Sequence, residues 1–109
     1  MLKKPFRLKS PKLENPRTVP GVYFNFKYQK NKVGQNRFAF VVSKKIDKRA
    51  VVRNSLKRKV RASVEEIFDK IETGWDFVFY PKTKTIGAEK KHVLEELEKT
   101  FLKQGLIKE

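Results

Sequence analysis

Alternating apolar and polar side chains mark the first regular element of the chain. Residues 22–28 (VYFNFKY) alternate in this way, and the pattern predicts a strand with one buried face. The side chains expected on that face are Val22, Phe24, Phe26 and Tyr28. A turn containing Gly34 follows at 31–36, and residues 37–43 (RFAFVVS) predict a second strand. Because the middle of this second strand is apolar on both faces, we expect it to lie in the centre of a sheet.

The apolar spacing then changes to a helical period. Apolar residues four apart, beginning with Val52 and Leu56, predict one buried face of a helix over residues 48–72. Asp47 is the predicted N-cap and Gly74 the predicted C-terminal stop.

A third strand and a second helix complete the pattern. Residues 75–80 (WDFVFY) predict the strand, and residues 88–103 predict a helix. The side chains that this helix is expected to bury are Val93, Leu94, Leu97 and Phe101. The order is β-β-α-β-α, and the long helix joins two strands that we expect to be parallel. The pattern therefore predicts an α/β (α+β) two-layer sandwich with a mixed sheet.

The chain divides into a terminal arm and one domain. Residues 1–21 carry four prolines among Lys and Arg, and this spacing excludes a long helix. We expect an extended basic arm there, which either lies on RNA or is a poorly ordered terminus. Residues 22–109 are expected to form a single RNA-binding domain.

The chain is strongly basic and contains no cysteine. It has 27 Lys and Arg against 12 Asp and Glu, a net charge of +15 over 109 residues. Self-repulsion of this size destabilises a compact monomer unless a partner supplies negative charge. Nucleic acid is the leading candidate partner, and a membrane surface comes second. The lack of cysteine excludes disulfides and thiolate metal sites and fits a cytoplasmic location. We expect neither a membrane span nor a secretion signal.

The positive charge is concentrated in residues 44–61 (KKIDKRAVVRNSLKRKVR). Nine of these eighteen residues are Lys or Arg, and Asp47 is the single acid. At about 100° per residue, five polar side chains fall within a sector of roughly 140° beside the apolar stripe. They are Arg53, Asn54, Lys57, Arg58 and Arg61. The acids lie in the second half of the helix, against the preference of the helix dipole. Because compensating salt bridges one turn apart are missing from the first half, polyanion binding is favoured over a merely solvated surface.

The same region resembles the protein subunit of bacterial ribonuclease P. The resemblance is carried by FVVSKKI at 40–46, AVVRN at 50–54, LKR at 56–58, Arg61 and the strand WDFVF at 75–79. It covers about residues 22–104. A VSKK segment followed by R-N-x-x-K-R-x-x-R is a specific combination among small basic proteins.

This resemblance implies both a fold and a function. The fold is like the second domain of ribosomal protein S5, with a left-handed β-α-β crossover that breaks the usual right-handed rule. The implied function is that of an accessory subunit of an endoribonuclease, which binds the catalytic RNA and the 5′ leader of precursor tRNA during maturation of tRNA 5′ ends. The RNA is then expected to carry the chemistry and to bind Mg²⁺. For this chain, the resemblance implies no catalytic residue, no metal ligand, no cofactor of its own, and neither DNA nor membrane as a partner.

Carried over residue by residue, the resemblance also implies two sites. The residues expected to contact the catalytic RNA are Lys44, Lys45, Lys48, Arg49, Arg53, Asn54, Lys57, Arg58 and Arg61. The residues expected in the leader cleft are Phe24, Phe26 and Tyr28, for which ordinary core packing is the alternative. Ser55 stands where the family usually has Arg. Prolines, with Phe6 as the only aromatic, replace the helix with two phenylalanines that usually begins the family.

Three rival functions remain open from the residues alone. A ribosomal or other structural RNA-binding protein has the same composition, and only the motif disfavours it. A protein-only nuclease needs clustered carboxylates or a general base beside a nucleophile, whereas the single His92 lies among lysines and the acids lie along helices. A membrane-surface helix is disfavoured because the apolar stripe continues beyond the basic half.

Overall fold

A four-stranded sheet carries two helices on one face. The computed structural model describes residues 6–107, so residues 1–5 of the predicted arm and 108–109 of the predicted domain lie outside the described residues. The strands are β1 (Arg17–Val19), β2 (Phe24–Lys30), β3 (Arg37–Phe40) and β4 (Trp75–Pro81). The helices are α1 (Ala50–Ile67) and α2 (Lys90–Lys103), with short 3-10 turns at Phe68–Lys70 and Thr83–Thr85.

The sheet is mixed, and its strand order is β1-β2-β4-β3. β2 runs antiparallel to both β1 and β4, whereas β3 runs parallel to β4. α1 connects this parallel pair, as the sequence predicted. The two-layer α+β architecture is therefore confirmed, while the left-handed crossover stays a prediction.

The side of the sheet that the helices cover, the inner face, is largely aromatic. Phe26 is completely buried, with its ring centroid 5.5 Å from that of Phe79 on β4 and 5.0 Å from that of Phe101 on α2. Val60 and Val64 of α1 enter the same core. Burying one such side chain contributes about 1.5–3 kcal/mol, so this cluster sets the position of both helices on the sheet.

β3 is an edge strand, so the prediction that it lies in the centre of the sheet is wrong. Its inner side chain Phe38 is buried against the core. Its outer edge is covered by the N-terminal segment, because Arg7 bridges Phe38 in parallel and the Leu8 N–H donates to the Phe38 carbonyl at 2.8 Å. An edge strand covered by its own chain resembles an interior strand in sequence, since both need apolar residues.

The N-terminal segment reaches both edges of the sheet. β1, which the sequence did not predict, pairs with β2 so that Arg17 lies opposite Tyr28. Residues 9–16, the crossing segment, therefore connect the β3 edge to the β1 edge. Because the helices fill the inner face, this segment runs over the opposite, outer face. The Asn15 N–H donates to Gln29 Oε1 at 3.0 Å there, and the outward-pointing Val78 is completely buried.

The connection from β1 to β2 differs from the prediction at one position. Val22 is 54% exposed rather than buried, because β2 begins only at Phe24. The alternation predicted for the rest of the strand is confirmed, since the inward side chains Phe24, Phe26 and Tyr28 are all buried.

Candidate nucleic-acid interface

α1 begins at Ala50 with an uncapped first turn. The N-cap is Arg49, whose side chain makes no capping hydrogen bond, so the prediction of Asp47 as N-cap is wrong. Asp47 Oδ1 instead accepts the Arg49 backbone N–H at 2.8 Å, a side-chain turn that leads the chain into the helix. The first turn contains no acid, so the positive end of the helix dipole adds to the charge of the basic side chains around it.

The residues predicted to contact RNA lie on α1 and in the loop immediately before it. We call this set the basic face, and its members are Lys44, Lys45, Lys48, Arg49, Arg53, Asn54, Lys57, Arg58 and Arg61. Leu56, Val60 and Val64 are buried under the helix, so they fix which side of α1 points outward. Asn54 and Arg58 are exposed, whereas Lys57 is half-buried beside the apolar stripe.

Arg49 is held by the acid that precedes it. Its Nε donates to Asp47 Oδ1 at 3.0 Å and its Nη2 to Asp47 Oδ2 at 2.9 Å. These hydrogen bonds, together with the backbone N–H of Arg49, lower the pKa of Asp47 to about 2, and the same contact raises the pKa of Arg49. The pair orients the Arg49 guanidinium beside the start of α1 and offsets one positive charge of the basic face.

Arg53 is partly occupied within the protein. Its Nη1 donates to the carbonyls of Asp47 and Lys48 at 3.1 and 2.7 Å. These bonds hold the basic loop against the first turn of the helix. The remaining guanidinium N–H groups keep the geometry that suits a phosphate, so Arg53 combines a structural role with the predicted contact.

The central part of the basic face lacks acidic partners. Between residues 6 and 107, no salt bridge to a carboxylate involves Lys57, Arg58 or Arg61. The acids of α1, Glu65 and Glu66, lie in its last turns. The positive charge is therefore uncompensated over the first three turns of the helix, as the sequence predicted.

A groove at the β3 edge adjoins the basic face. This edge groove has a volume of about 330 Å³, and its lining includes Arg7, Lys9, Phe40, Val41 and Arg61. The guanidinium carbon of Arg61 lies 5.2 Å from the centroid of the Phe40 ring, and Phe40 itself stacks on Phe79 at 5.4 Å. Cations around a half-buried aromatic ring form the combination that holds single-stranded nucleic acid through phosphates and base stacking.

The aromatic residues predicted for the leader cleft are core residues in this structure. Phe24, Phe26 and Tyr28 are 1%, 0% and 5% exposed and face the helices. Tyr28 also donates its hydroxyl proton to Gln104 Oε1 at 2.9 Å. A base cannot stack on rings that are enclosed in this way, so their assignment to a base-stacking cleft is wrong and the core-packing alternative holds.

The other face of β2 carries residues that the sequence analysis did not single out. The Nζ of Lys27 lies 5.4 Å from the ring centroid of Tyr80, and both side chains are half-buried on the outer face. The alternation of β2 already placed Lys27 opposite the core. Phe40 was missed for a different reason, because its contact with Arg61 depends on how α1 packs over β3.

Two other features, a metal centre and a membrane-spanning helix, are absent from residues 6–107. Residues 6–107 contain no group of three or more His, Asp or Glu side chains placed to hold a metal ion. None of the helices in this part of the chain is long and apolar enough to cross a membrane.

Comparison with known proteins agrees with the resemblance seen in the motif. The family model described as Ribonuclease P matches residues 2–105. The chain belongs to the ribonuclease P protein family. The ribonuclease P protein component of Microcystis aeruginosa is 38% identical over 74 residues, which make up 68% of this chain and 62% of that relative. The chain thus spans less than two thirds of the length of this ribonuclease P relative.

Solved structures of ribonuclease P proteins share the fold. The protein from Thermotoga maritima superposes with a TM-score of 0.70 at 28% identity, covering 78% of this chain and 80% of that one. The protein from Staphylococcus aureus superposes with a TM-score of 0.72 over 85% of this chain and 84% of that one. At 21% identity, the second match concerns the ribonuclease P fold alone.

Proposed function

We propose that this chain is the RNA-binding protein subunit of ribonuclease P and assists the maturation of tRNA 5′ ends in the cytoplasm. Its basic face binds the catalytic RNA, and its edge groove binds the single-stranded 5′ leader of precursor tRNA. The observation that carries the proposal is the uncompensated charge of α1. Lys57, Arg58 and Arg61 have no acidic partner among the described residues, and the buried stripe keeps them on the surface.

The catalytic RNA performs the hydrolysis in this proposal. Mg²⁺ would be held by the RNA rather than by this chain, and it would supply positive charge at the attacking water and the leaving oxygen. The protein neutralises phosphates, so RNA helices approach one another at a lower concentration of Mg²⁺. This division of labour rests on family membership and on the basic face.

The edge groove is the best-supported position for the leader. Phe40 offers an aromatic surface, while Arg61, Arg7 and Lys9 surround it with positive charge. Because Arg61 belongs to both the basic face and the edge groove, a strand in the groove continues directly from RNA bound on α1. The leader therefore meets Phe40 rather than the buried aromatics of β2.

The test is reconstitution with a catalytic RNA of the family and a precursor tRNA at low Mg²⁺. We expect cleavage at the mature 5′ end when protein and RNA are combined. Cleavage by the protein alone would contradict the proposal.

Charge reversal locates the interface in the same assay. Because Arg53 and Arg61 also contact other parts of the protein, the sharper triple variant combines Lys45→Glu, Lys57→Glu and Arg58→Glu. The matched control reverses three exposed lysines elsewhere, Lys70, Lys91 and Lys99. We expect the first triple to lose binding to the catalytic RNA and the control to retain most of it. Equal losses in both triples would show that only the overall charge matters.

A further inference from the structure

Trp75 lies at a corner of the sheet beside the end of α2. The helix ends at Lys103, the chain turns at Gly105, whose φ is +73°, and Leu106 packs back into the core. Trp75 at this corner is half-buried rather than enclosed. Trp75, the first residue of β4, lies opposite Lys30 of β2, and Arg17 lies opposite Tyr28. We call this corner the tryptophan shelf.

The indole of Trp75 is held in a fixed orientation. Its ring meets that of Tyr28 edge to face, with a centroid distance of 5.3 Å and an interplanar angle of 67°. Tyr28 is itself fixed by donating to Gln104 Oε1 at 2.9 Å. Trp75 is half-buried and lines a groove of about 320 Å³ together with Arg17, Lys30 and Gln104. An aromatic ring that is already ordered loses little entropy when a base stacks on it.

The polar groups around this groove are mainly hydrogen-bond donors. Gln104 Oε1 accepts from Tyr28, and Gln29 Oε1 accepts the Asn15 N–H. The amide NH₂ groups of both glutamines are thus left to donate. Arg17 and Lys30 are exposed cations, and no carboxylate is among the described residues that line the groove. Such a set suits a ligand rich in acceptors, as phosphates and base edges are.

We propose that the tryptophan shelf is a second binding site for single-stranded RNA. One base stacks on Trp75, Arg17 and Lys30 bind the adjacent phosphates, and the Gln104 amide donates to the base edge. Trp75 lies at the start of β4, whereas Phe40 of the edge groove pairs with Phe79, four residues or about 14 Å further along the same strand. The second site rests on the proposal that the chain binds RNA but not on the position of the leader.

The single tryptophan of the chain makes the shelf directly observable. The full chain is titrated with a short oligoadenylate at low salt, and Trp75 emission is recorded. We expect saturable quenching. The double variant Arg17→Glu/Lys30→Glu should raise the half-saturating concentration about tenfold, because two phosphate contacts are lost. The matched double Lys91→Glu/Lys99→Glu, at exposed lysines outside both proposed sites, has the same net charge and should shift it far less. A second measurement follows the anisotropy of a labelled oligoadenylate in the Lys45→Glu/Lys57→Glu background, in which the basic face is weakened. In that background, Trp75→Leu should lower the affinity about fivefold.

Two results would overturn the site. Trp75 emission that stays constant while anisotropy shows the oligoadenylate saturating the protein would mean that RNA does not occupy the shelf. Equal shifts in the two double variants would mean that the quenching follows net charge alone. Neither result touches the proposed function, because binding of the catalytic RNA to the basic face is measured separately with Lys57 and Arg58 variants.

Discussion

The guanidinium carbon of Arg61 lies 5.2 Å above the ring of Phe40, so one side chain links the basic face of α1 to the edge groove of β3. A cation over an aromatic ring contributes about 0.5–1 kcal/mol at an exposed site. This contact therefore does two things at once. It packs the helix onto the edge strand, and it places a guanidinium where two RNA segments would meet.

The coupling between Arg61 and Phe40 can be measured. We expect Arg61→Gln and Phe40→Leu each to lower the free energy of unfolding, and a double-mutant cycle to give a coupling of about 0.5–1 kcal/mol. Denaturant unfolding of the four proteins provides the values. If the two substitutions had strictly additive effects on the free energy of unfolding, the contact between Arg61 and Phe40 would contribute no coupling energy.

Two neighbouring lysines of α1 should behave oppositely. Lys59 Nζ donates to the carbonyls of Thr85 and Ala88 at 3.1 and 2.8 Å, whereas Lys57 belongs to the basic face. We expect Lys59→Met to lower the free energy of unfolding by about 1–3 kcal/mol, because part-buried carbonyls lose their donor, and to change RNA affinity little. Lys57→Met is the matched control. It should leave stability nearly unchanged and reduce the dependence of RNA binding on log salt by about 0.7–0.9.

The core assignment of Phe26 separates folding from binding. We expect Phe26→Leu to cost about 1–3 kcal/mol of stability, since a ring enclosed by Phe79 and Phe101 is shortened. Under conditions where the variant is folded, its affinity for a single-stranded leader should equal that of the parent chain. Phe40→Leu should weaken leader binding about fivefold or more, as expected for the loss of one stacked base. A selective loss of leader affinity in the Phe26 variant would show that Phe26 contacts the leader and would contradict its assignment to the core alone.

Asp47 should titrate at an unusually low pH. Hydrogen bonds from Arg49 lower the pKa of Asp47 from 3.8 to about 2, because they stabilise the ionised carboxylate in the folded protein. The contribution of ionised Asp47 to the free energy of unfolding is complete above about pH 4 and is lost as the pH falls through 2. Carboxyl carbon shifts in NMR spectra report this titration. Arg49→Gln should return the pKa of Asp47 towards 3.8, whereas Lys48→Gln, which removes a neighbouring charge but no hydrogen bond, should leave it near 2.

Gly21 has little room for a side chain. A Cβ at this position would collide with Glu96 Oε1 and with the Phe24 carbonyl. The Glu96 carboxylate accepts the backbone N–H groups of Val22 and Tyr23 at 2.6 and 2.8 Å. We expect Gly21→Ala to lower the free energy of unfolding by about 1–3 kcal/mol, measured by thermal or denaturant melting. In the Glu96→Ala background the same change should cost less, because one of the two collisions is gone.

The parts of this fold that follow from local spacing were predictable. The helical period through Leu56 and the alternation through Phe26 predicted α1 and β2, because each pattern must bury a single face. The basic face followed from the same geometry, since a buried stripe determines which side chains remain outside. Gly105 marked the end of α2 and has a positive φ. Gly74, expected to stop the long helix, lies seven residues beyond Ile67, the last residue of α1, so that prediction is wrong.

The remaining features depend on contacts between residues far apart in sequence. β3 was expected in the centre of the sheet because nothing in RFAFVVS shows that Arg7 and Leu8 cover its edge. The start of α1 was expected near Asp47 because the sequence does not show that Arg49 takes both carboxylate oxygens. The family resemblance placed Phe24, Phe26 and Tyr28 in a leader cleft, and the strand pattern could not correct this, because it identifies a buried face without showing what covers that face. The edge groove was not predictable because it depends on a contact between Arg61 of α1 and Phe40 of β3.

The N-terminal segment gives the sheet a property that its strands lack by themselves. Exposed edge strands invite pairing with a second molecule, and natural proteins block this in several ways. Here Leu8 covers the edge of β3 and β1 covers the edge of β2, so one stretch of chain protects both edges of the three strands β2, β4 and β3. A newly made molecule is consequently exposed to intermolecular aggregation until this stretch has docked, and trimming it back to β2 would remove that protection at both ends.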